Sequence, residues 1–182
     1  IHVNCDKIVN VKLFNNGKIQ MTGLKYEDHG SNVLQKLLPI ITELDSSNEL
    51  KVFNHMDIVY QPMNIVLINS DFDIKYKVKR DILHREIIDA GMYSSYEPCI
   101  YPGVNIKYFF NSNQDNGICK CSIMCTGKGD GCSDGGCKKI TVAVFKSGKI
   151  IITGARSRQH LELSYHFITK FMNDRKEKIE LK

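Results

Sequence analysis

The sequence predicts an α+β protein in which an antiparallel hairpin followed by a helix occurs twice. Three observations lead there. The stretches "VKLFNNGKIQMTGLK" (Val11 to Lys25) and "VAVFKSGKIIITGAR" (Val142 to Arg156) align without a gap at an offset of 131 and share seven of fifteen positions, the signature of an internal repeat. Each stretch alternates around a turn-forming Asn-Gly-Lys or Ser-Gly-Lys, as a hairpin does. After each stretch, apolar residues recur at helical spacing.

In the first copy the helical stripe is Val33, Leu34, Leu37, Leu38 and Ile41, with Pro39 placed to kink or divide the helix. The polar segment Asp45 to Asn54 reads as a connection. A strand is expected from Met63 in "MNIVLIN", a helix around Arg80 to Ala90, and a further strand in "CIYPGVNIKYFF" after the loop "GMYSSYEP". Asn111 to Lys138, rich in Gly and Cys, reads as an insertion. The second hairpin is expected to run from Lys139 to Phe145 and from Lys149 to Arg156. Its alternation puts Ile140, Val142 and Val144 on one face and Thr141, Ala143 and Phe145 on the other. Leu161, Tyr165, Ile168 and Met172, widened by Phe167 and Phe171, then form the helical stripe.

The expected organisation is therefore residues 1–44 as the C-terminal half of repeat one, 45–62 as linker, and 63–182 as repeat two with an insertion at about 111–138. The second copy has a strand, helix and strand ahead of its hairpin. Counterparts for the first copy fall upstream of Ile1, so that repeat is expected to be incomplete.

The chain has 182 residues, 42% hydrophobic and 25% charged, the balance of a globular protein with a core. No apolar run reaches membrane-spanning length and no secretory signal is visible. A net charge of +5 permits an anionic partner without demanding one, because acids and bases are interspersed. The six histidines are scattered, with no metalloprotease pair and no nucleophile elbow. An enzyme is not expected.

Five of the seven cysteines fall between Cys119 and Cys137. An odd, clustered set fits an intracellular local metal site better than a secreted disulfide framework. Zinc takes about four thiolates in a tetrahedron. Cys119, Cys121, Cys125 and Cys137 are the favoured ligands of a structural Zn2+, with Cys132, inside the glycine-rich tract, as the fifth candidate. The competing reading is a loop of free or oxidised thiols. "DGCSDGG" lacks the acidic spacing of a calcium loop, and "TGKGDG" lacks the Gly-Lys-Ser/Thr of a phosphate loop.

The ordered motifs "MNIVLIN", "SSYEPCIYPGVNIKYFF", "AVFKSGKIIITGAR" and "LFNNGKIQMTGLK" resemble the TATA-binding protein family over most of the chain apart from the linker and the insertion. The insertion is similar to that of the family's members from large DNA viruses. The resemblance implies a saddle-shaped curved antiparallel sheet with helices on the convex face, built from two pseudo-symmetric repeats. It implies a general transcription initiation factor that reads promoter DNA through the minor groove and bends it with aromatic wedges, a behaviour for which this family is a standard example.

Under that resemblance Phe14 and Phe145 match wedge positions. Tyr101, in "IYPG", stands where the family usually has Phe. Asn64 matches the residue that reaches base edges, and Thr22, Val66, Ile151 and Thr153 match the groove-facing surface. Lys18, Lys25, Lys107, Lys149 and Arg156 match basic positions along the DNA path. Lys12 and Gln20 replace aliphatic residues and make the first copy wetter than the second. Glu97 and Ile100 match a segment that binds a B-type general initiation factor, although Cys99 replaces an acid there. Promoter DNA, that factor and the RNA polymerase machinery are the implied partners, in the nucleus or a cytoplasmic viral factory, with no membrane role. The alternative function is an interaction scaffold that keeps the fold with weak or no sequence-specific DNA binding.

Overall fold

The computed structural model describes residues 1–26, 28–47, 61–113 and 116–182. The chain divides into two compact units, Ile1–Asn64 and Ile65–Lys182.

Unit 1 holds β1 (His2–Cys5), β2 (Lys7–Leu13), β3 (Ile19–Thr22) and α1 (Asp28–Ser46). The strands form an antiparallel sheet in the order β1-β2-β3. Asp6 turns the chain between the first two at a positive φ of 58°, a conformation that Asp tolerates better than most residues. Alternation along β1 and β2 buries Val3, Cys5, Val9 and Val11, and α1 contributes Val33, Leu37 and Ile41 to the same cluster. Pro39 lies inside the helix, which continues to Ser46. Asp45 and Ser46, expected in the connection, are thus in the last turn of α1, and Ser47 follows as a turn; residues 48–60, which hold most of the expected linker, lie outside the described residues.

Unit 2 holds β4 (Ile68–Asp73), α2 (Arg80–Asp89), β5 (Tyr93–Ser95), β6 (Val104–Phe110), β7 (Lys138–Val144), β8 (Lys149–Ala155), α3 (Arg158–Asp174) and α4 (Lys176–Ile179). Its antiparallel sheet has the order β4-β8-β7-β6-β5. One face is covered: Ile106, Tyr108, Ile140, Val142, Val144, Ile150 and Ile152 are buried with Leu83 and Ile87 of α2 and Ile168, Phe171 and Met172 of α3. The oxygen of Ser157 caps α3 by accepting from the His160 N–H at 3.3 Å.

The two hairpin turns are built alike. Phe14 N–H donates to Lys18 O and Gly17 N–H to Phe14 O, both at 3.0 Å; Phe145 N–H donates to Lys149 O at 2.9 Å and Gly148 N–H to Phe145 O at 3.0 Å. Gly17 and Gly148 take φ of 79° and 93°, the left-handed region that makes glycine the fitting residue there. The strand match extends further. Ile106 lies opposite Val142 in β6–β7, as Ile1 lies opposite Val11, with both backbone groups of Val11 bonded to Ile1. The β1–β2 turn at Asp6 therefore stands where β6–β7 carries the long insertion.

Four sequence expectations need correction. The strand expected from Met63 begins at Ile68, because Ile68 already pairs with Ala155, the last residue of β8. Residues 64–67 run past the end of their partner strand. The strand expected from Cys99 begins at Val104: Glu97 O accepts from both Ile100 and Tyr101 N–H at 2.9 Å, closing a turn, and Pro102 has no N–H to give a ladder. In unit 1 a third strand, β1, precedes the expected pair and supplies the counterpart of β6 that was expected upstream of Ile1; in unit 2 the expected loop "GMYSSYEP" holds β5, paired with β6.

The C-terminal segment is tied to α2 through Glu86, which accepts from Lys178 at 2.9 Å and Arg175 at 3.2 Å. The Lys178 hydrogen bond, then the two positive charges, hold the Glu86 carboxyl below its ordinary value of 4.5. A depressed carboxylate stabilises the fold above its unfolded pKa and loses that effect as pH falls through the folded value. Glu86→Gln is accordingly expected to lower the Tm at pH 7. Melts taken stepwise to pH 3 should show the gap to the parent protein closing.

Candidate nucleic-acid interface

Because successive strand residues alternate, the face of the unit 2 sheet opposite the helices is set by register. Asp71, Ile151, Ala143, Asn105 and Ser95 form one row across all five strands, and Thr153, Thr141, Lys107 and Tyr93 form the next. Apart from Asp71 and Lys107, these residues are apolar, small or short and polar. Lys107 donates from Nζ to Thr141 Oγ1 at 2.9 Å, which lays its stem along the sheet. Burial, and then the neighbouring Lys139 ammonium, pull its pKa below the usual lysine value.

At one end of this face Tyr101 and Phe145 meet edge to face, their ring centroids 5.8 Å apart and their planes at 61°. Both rings rest on Gly103: a Cβ there would lie 2.8 Å from Tyr101 Cε1 and 3.3 Å from Phe145 Cε1. Phe145 is half-buried and Tyr101 is 38% exposed. An aromatic pair over a glycine, next to Ala143 and Ile151, can offer a flat ring to a stacked base without competing for hydrogen bonds. Arg80, reaching from α2, donates to Pro102 O and so ties down the Tyr101 loop.

The basic residues are held differently. Lys149 Nζ lies 3.2 Å from Asp71 Oδ2, with both side chains more than half exposed, and Arg156 is exposed just ahead of α3. Glu97 and Ile100 are exposed on the turn before Tyr101, Ile100 at 80%. Asn64 is the last residue of unit 1 and Val66 the second of unit 2; both are exposed and outside strands. The register brings Lys107, Ile151 and Thr153 to one sheet face and ring packing over Gly103 adds Tyr101 and Phe145, while Asn64 and Val66 lie outside strands.

In unit 1, Phe14 is 44% exposed in its hairpin turn, and Lys18, Thr22 and Lys25 are exposed. The open face there is polar except for exposed Ile8, opposite Asn4: His2 lies opposite Asn10, Asn10 opposite Thr22, and Lys12 opposite Gln20.

Sequence reasoning missed Gly103, Asp71 and Asn105. Gly103 carried a signal, a glycine two residues after the aromatic Tyr101. The other two became visible only through cross-strand register.

In the insertion, the sulfurs of Cys119, Cys121, Cys125 and Cys137 all lie within 4.8 Å of one another. Cys121 Sγ is 3.3 Å, and Cys119 Sγ 3.8 Å, from Cys137 Sγ. All are free thiols, and Cys132 is exposed outside the group. Burial pushes the Cys137 thiol up to about 12. Four convergent sulfurs of this kind can hold a metal ion.

Comparison with known proteins agrees with this architecture. The profile of the family described as "Transcription factor TFIID (or TATA-binding protein, TBP)" matches residues 63–174. A TATA-box-binding protein-like protein of Acanthamoeba polyphaga mimivirus is 31% identical over 95% of this chain and 45% of its own length. The TATA-box-binding protein of Dictyostelium discoideum is 26% identical over 82% of this chain and 53% of its own. The chain thus spans about half the length of the curated relatives it matches. The solved structure of Methanococcus jannaschii TBP shares the fold with a TM-score of 0.55 at 21% identity, covering 92% of this chain and 73% of the other. Repeated hairpin, helix-backed antiparallel sheet and family profile converge: the chain belongs to the TATA-binding protein family.

Proposed function

We propose that this chain is the DNA-binding part of a transcription initiation factor. It engages promoter DNA through the minor groove and bends it by inserting aromatic side chains. The observation that carries this reading is the Tyr101–Phe145 pair seated on Gly103 at the end of an open sheet face. A minor groove offers few and degenerate acceptors, so a partner face of Ala143, Ile151, Thr141 and Thr153 suits it. Wedges between base steps unstack them and kink the duplex. Lys107, Lys149 and Arg156 serve the phosphates on either side.

Unit 1 contributes Phe14, Lys18, Thr22 and Lys25, and Asn64 and Val66 belong to the same reading through the family motif. The polar face carrying Lys12 and Gln20 makes the two copies unequal, with weaker sequence selection from the first. Glu97 and Ile100 are the contact for a B-type initiation factor, which brings in the polymerase machinery. The four-thiol cluster takes Zn2+ as a structural ion. Among the described residues no helix is long and apolar enough to cross a membrane. The proposed place of action is the nucleus or a cytoplasmic viral factory of the host cell, where such a factor would meet promoter DNA.

Titration of a fluorescent TATA-containing duplex at 50 mM salt, with end-to-end energy transfer reporting the bend, tests the reading. Binding with a shortened end-to-end distance is expected. No affinity even at low salt would overturn it and favour the scaffold alternative, which the polar face of unit 1 supports.

Asp71 restrains Lys149, and exposed pairs of this kind are worth about 0.2–1 kcal/mol. Asp71→Asn should therefore raise duplex affinity roughly 1.5- to 5-fold and steepen the salt dependence by about one unit of log–log slope.

A further inference from the structure

We infer that the cysteine-rich insertion is a zinc knuckle that closes the free ends of β6 and β7, so that metal occupancy governs how Lys107 and Lys139 are presented on the open sheet face. The inference rests on the zinc assignment and DNA reading proposed above, and adds what the metal does.

The donor set fits the ion. Zinc–sulfur bonds of about 2.3 Å put the sulfurs of a regular tetrahedron about 3.8 Å apart. The separations of 3.3 and 3.8 Å, with none beyond 4.8 Å, need only small adjustment. A four-sulfur set with no carboxylate or imidazole among its members suits Zn2+ over the hard ions Mg2+ and Ca2+. One ligand already has a supporting donor: the Nδ2 of buried Asn111 lies 3.6 Å from Cys137 Sγ and 3.4 Å from Ser133 O. Such hydrogen bonds orient metal ligands and spread their charge.

The knuckle is also fastened to the sheet. Phe109 N–H donates to Gly117 O, Lys139 N–H to Gly127 O and Ser112 N–H to Gly131 O, each at 2.8 Å. Lys128 and Lys138 form a further antiparallel bridge. Glycines make this approach feasible. A Cβ on Gly127 would lie 2.6 Å from Lys139 Cβ and 3.2 Å from the Phe109 ring, and Gly117 and Gly131 sit against the rings of Tyr108 and Phe110. Cys137 immediately precedes β7, so a metal bonded to it and to three loop thiols fixes the strand's first residues. Lys139, the second residue of that strand, lies one same-face step from Thr141, which holds Lys107.

The test uses the full chain, refolded with excess reductant in the presence of ZnCl2 and then dialysed. One zinc per chain is expected by elemental analysis, and Co2+ in its place should give the intense d–d bands of a tetrahedral thiolate site. Cys121→Ser and Cys125→Ser should lose the metal, while Cys132→Ser should keep it. Absence of stoichiometric zinc, equal loss in Cys132→Ser, or a disulfide among the four thiols under reductant would overturn the metal site. Removing zinc should weaken duplex binding roughly tenfold, and the deficit should vanish in a Lys107→Ala/Lys139→Ala background. If zinc is present but its removal leaves the affinity of the parent chain unchanged, the coupling is wrong while the site stands. If the zinc-loaded parent chain has no duplex affinity at all, the DNA reading fails and the coupling with it. A protein that stays folded by circular dichroism without zinc keeps these outcomes distinct. For a variant that does not fold, metal content and cobalt spectrum of the Cys132→Ser protein decide.

Discussion

Phe145→Ala is expected to cut affinity for a TATA-containing duplex roughly 5- to 150-fold, the range set by about 1–3 kcal/mol for a lost base–aromatic stack. The bend should be lost more completely than the binding, because groove and phosphate contacts survive when a wedge does not. Tyr101→Ala should act in the same direction. Its phenolic hydroxyl disfavours full insertion between bases, so its effect should be the smaller. Fold stability should change little in either variant, since both rings are partly exposed and their mutual contact is worth about 0.5–1.5 kcal/mol. Titration and energy transfer on the parent, the two single variants and the double variant check this. If all four bind and bend the duplex alike, the wedge assignment is wrong.

Ile152→Ala should destabilise the protein by about 2–5 kcal/mol, the usual cost of emptying a fully buried aliphatic site. Ile152 has no exposed surface, lies opposite Val142 and Ser70, and belongs to the cluster shared with Ile168 and Met172. Against a typical total of about 5–15 kcal/mol, that is a large share. Its chain neighbour Ile151 faces the other way, toward Ala143 and Asp71. Ile151→Ala should cost less than about 1.5 kcal/mol in a thermal or urea melt and should weaken duplex binding instead. Equal destabilisation by the two substitutions would mean that the open face has been misassigned.

The contrast between these adjacent isoleucines shows how far the sequence reaches. In "KIIITGA" three isoleucines stand in a row, so alternation within β8 alone does not say which of them is inside. The partner strand does: Ile140, Val142 and Val144 are buried and Thr141 is not. Phe145 could be assigned to the opposite face for the same reason. The thiol cluster was legible in part: the sequence offers five clustered cysteines, and the fold gathers four of them and leaves Cys132 outside the group.

The starts of β4 and β6 were not legible, unlike those of β7 and β8, which begin within a residue of the expected Lys139 and Lys149. "MNIVLIN" is strand-like from its first residue, yet pairing begins at Ile68, where β8 ends. "CIYPG" is apolar as well, but its backbone is used in the Glu97 turn. A strand is a property of two segments, and the length of one limits the other.

By itself, the sequence determined the doubled hairpin, its glycine turns, the helices behind it and the four sulfurs, because each follows from local periodicity, φ preference or ligand chemistry. Only the tertiary structure decided that Asp71 holds Lys149, that Gly103 carries both aromatic rings, and that glycines press the knuckle onto β6 and β7. Those contacts join residues far apart in the chain, and their partners are chosen by strand register and close packing rather than by any pattern within one segment.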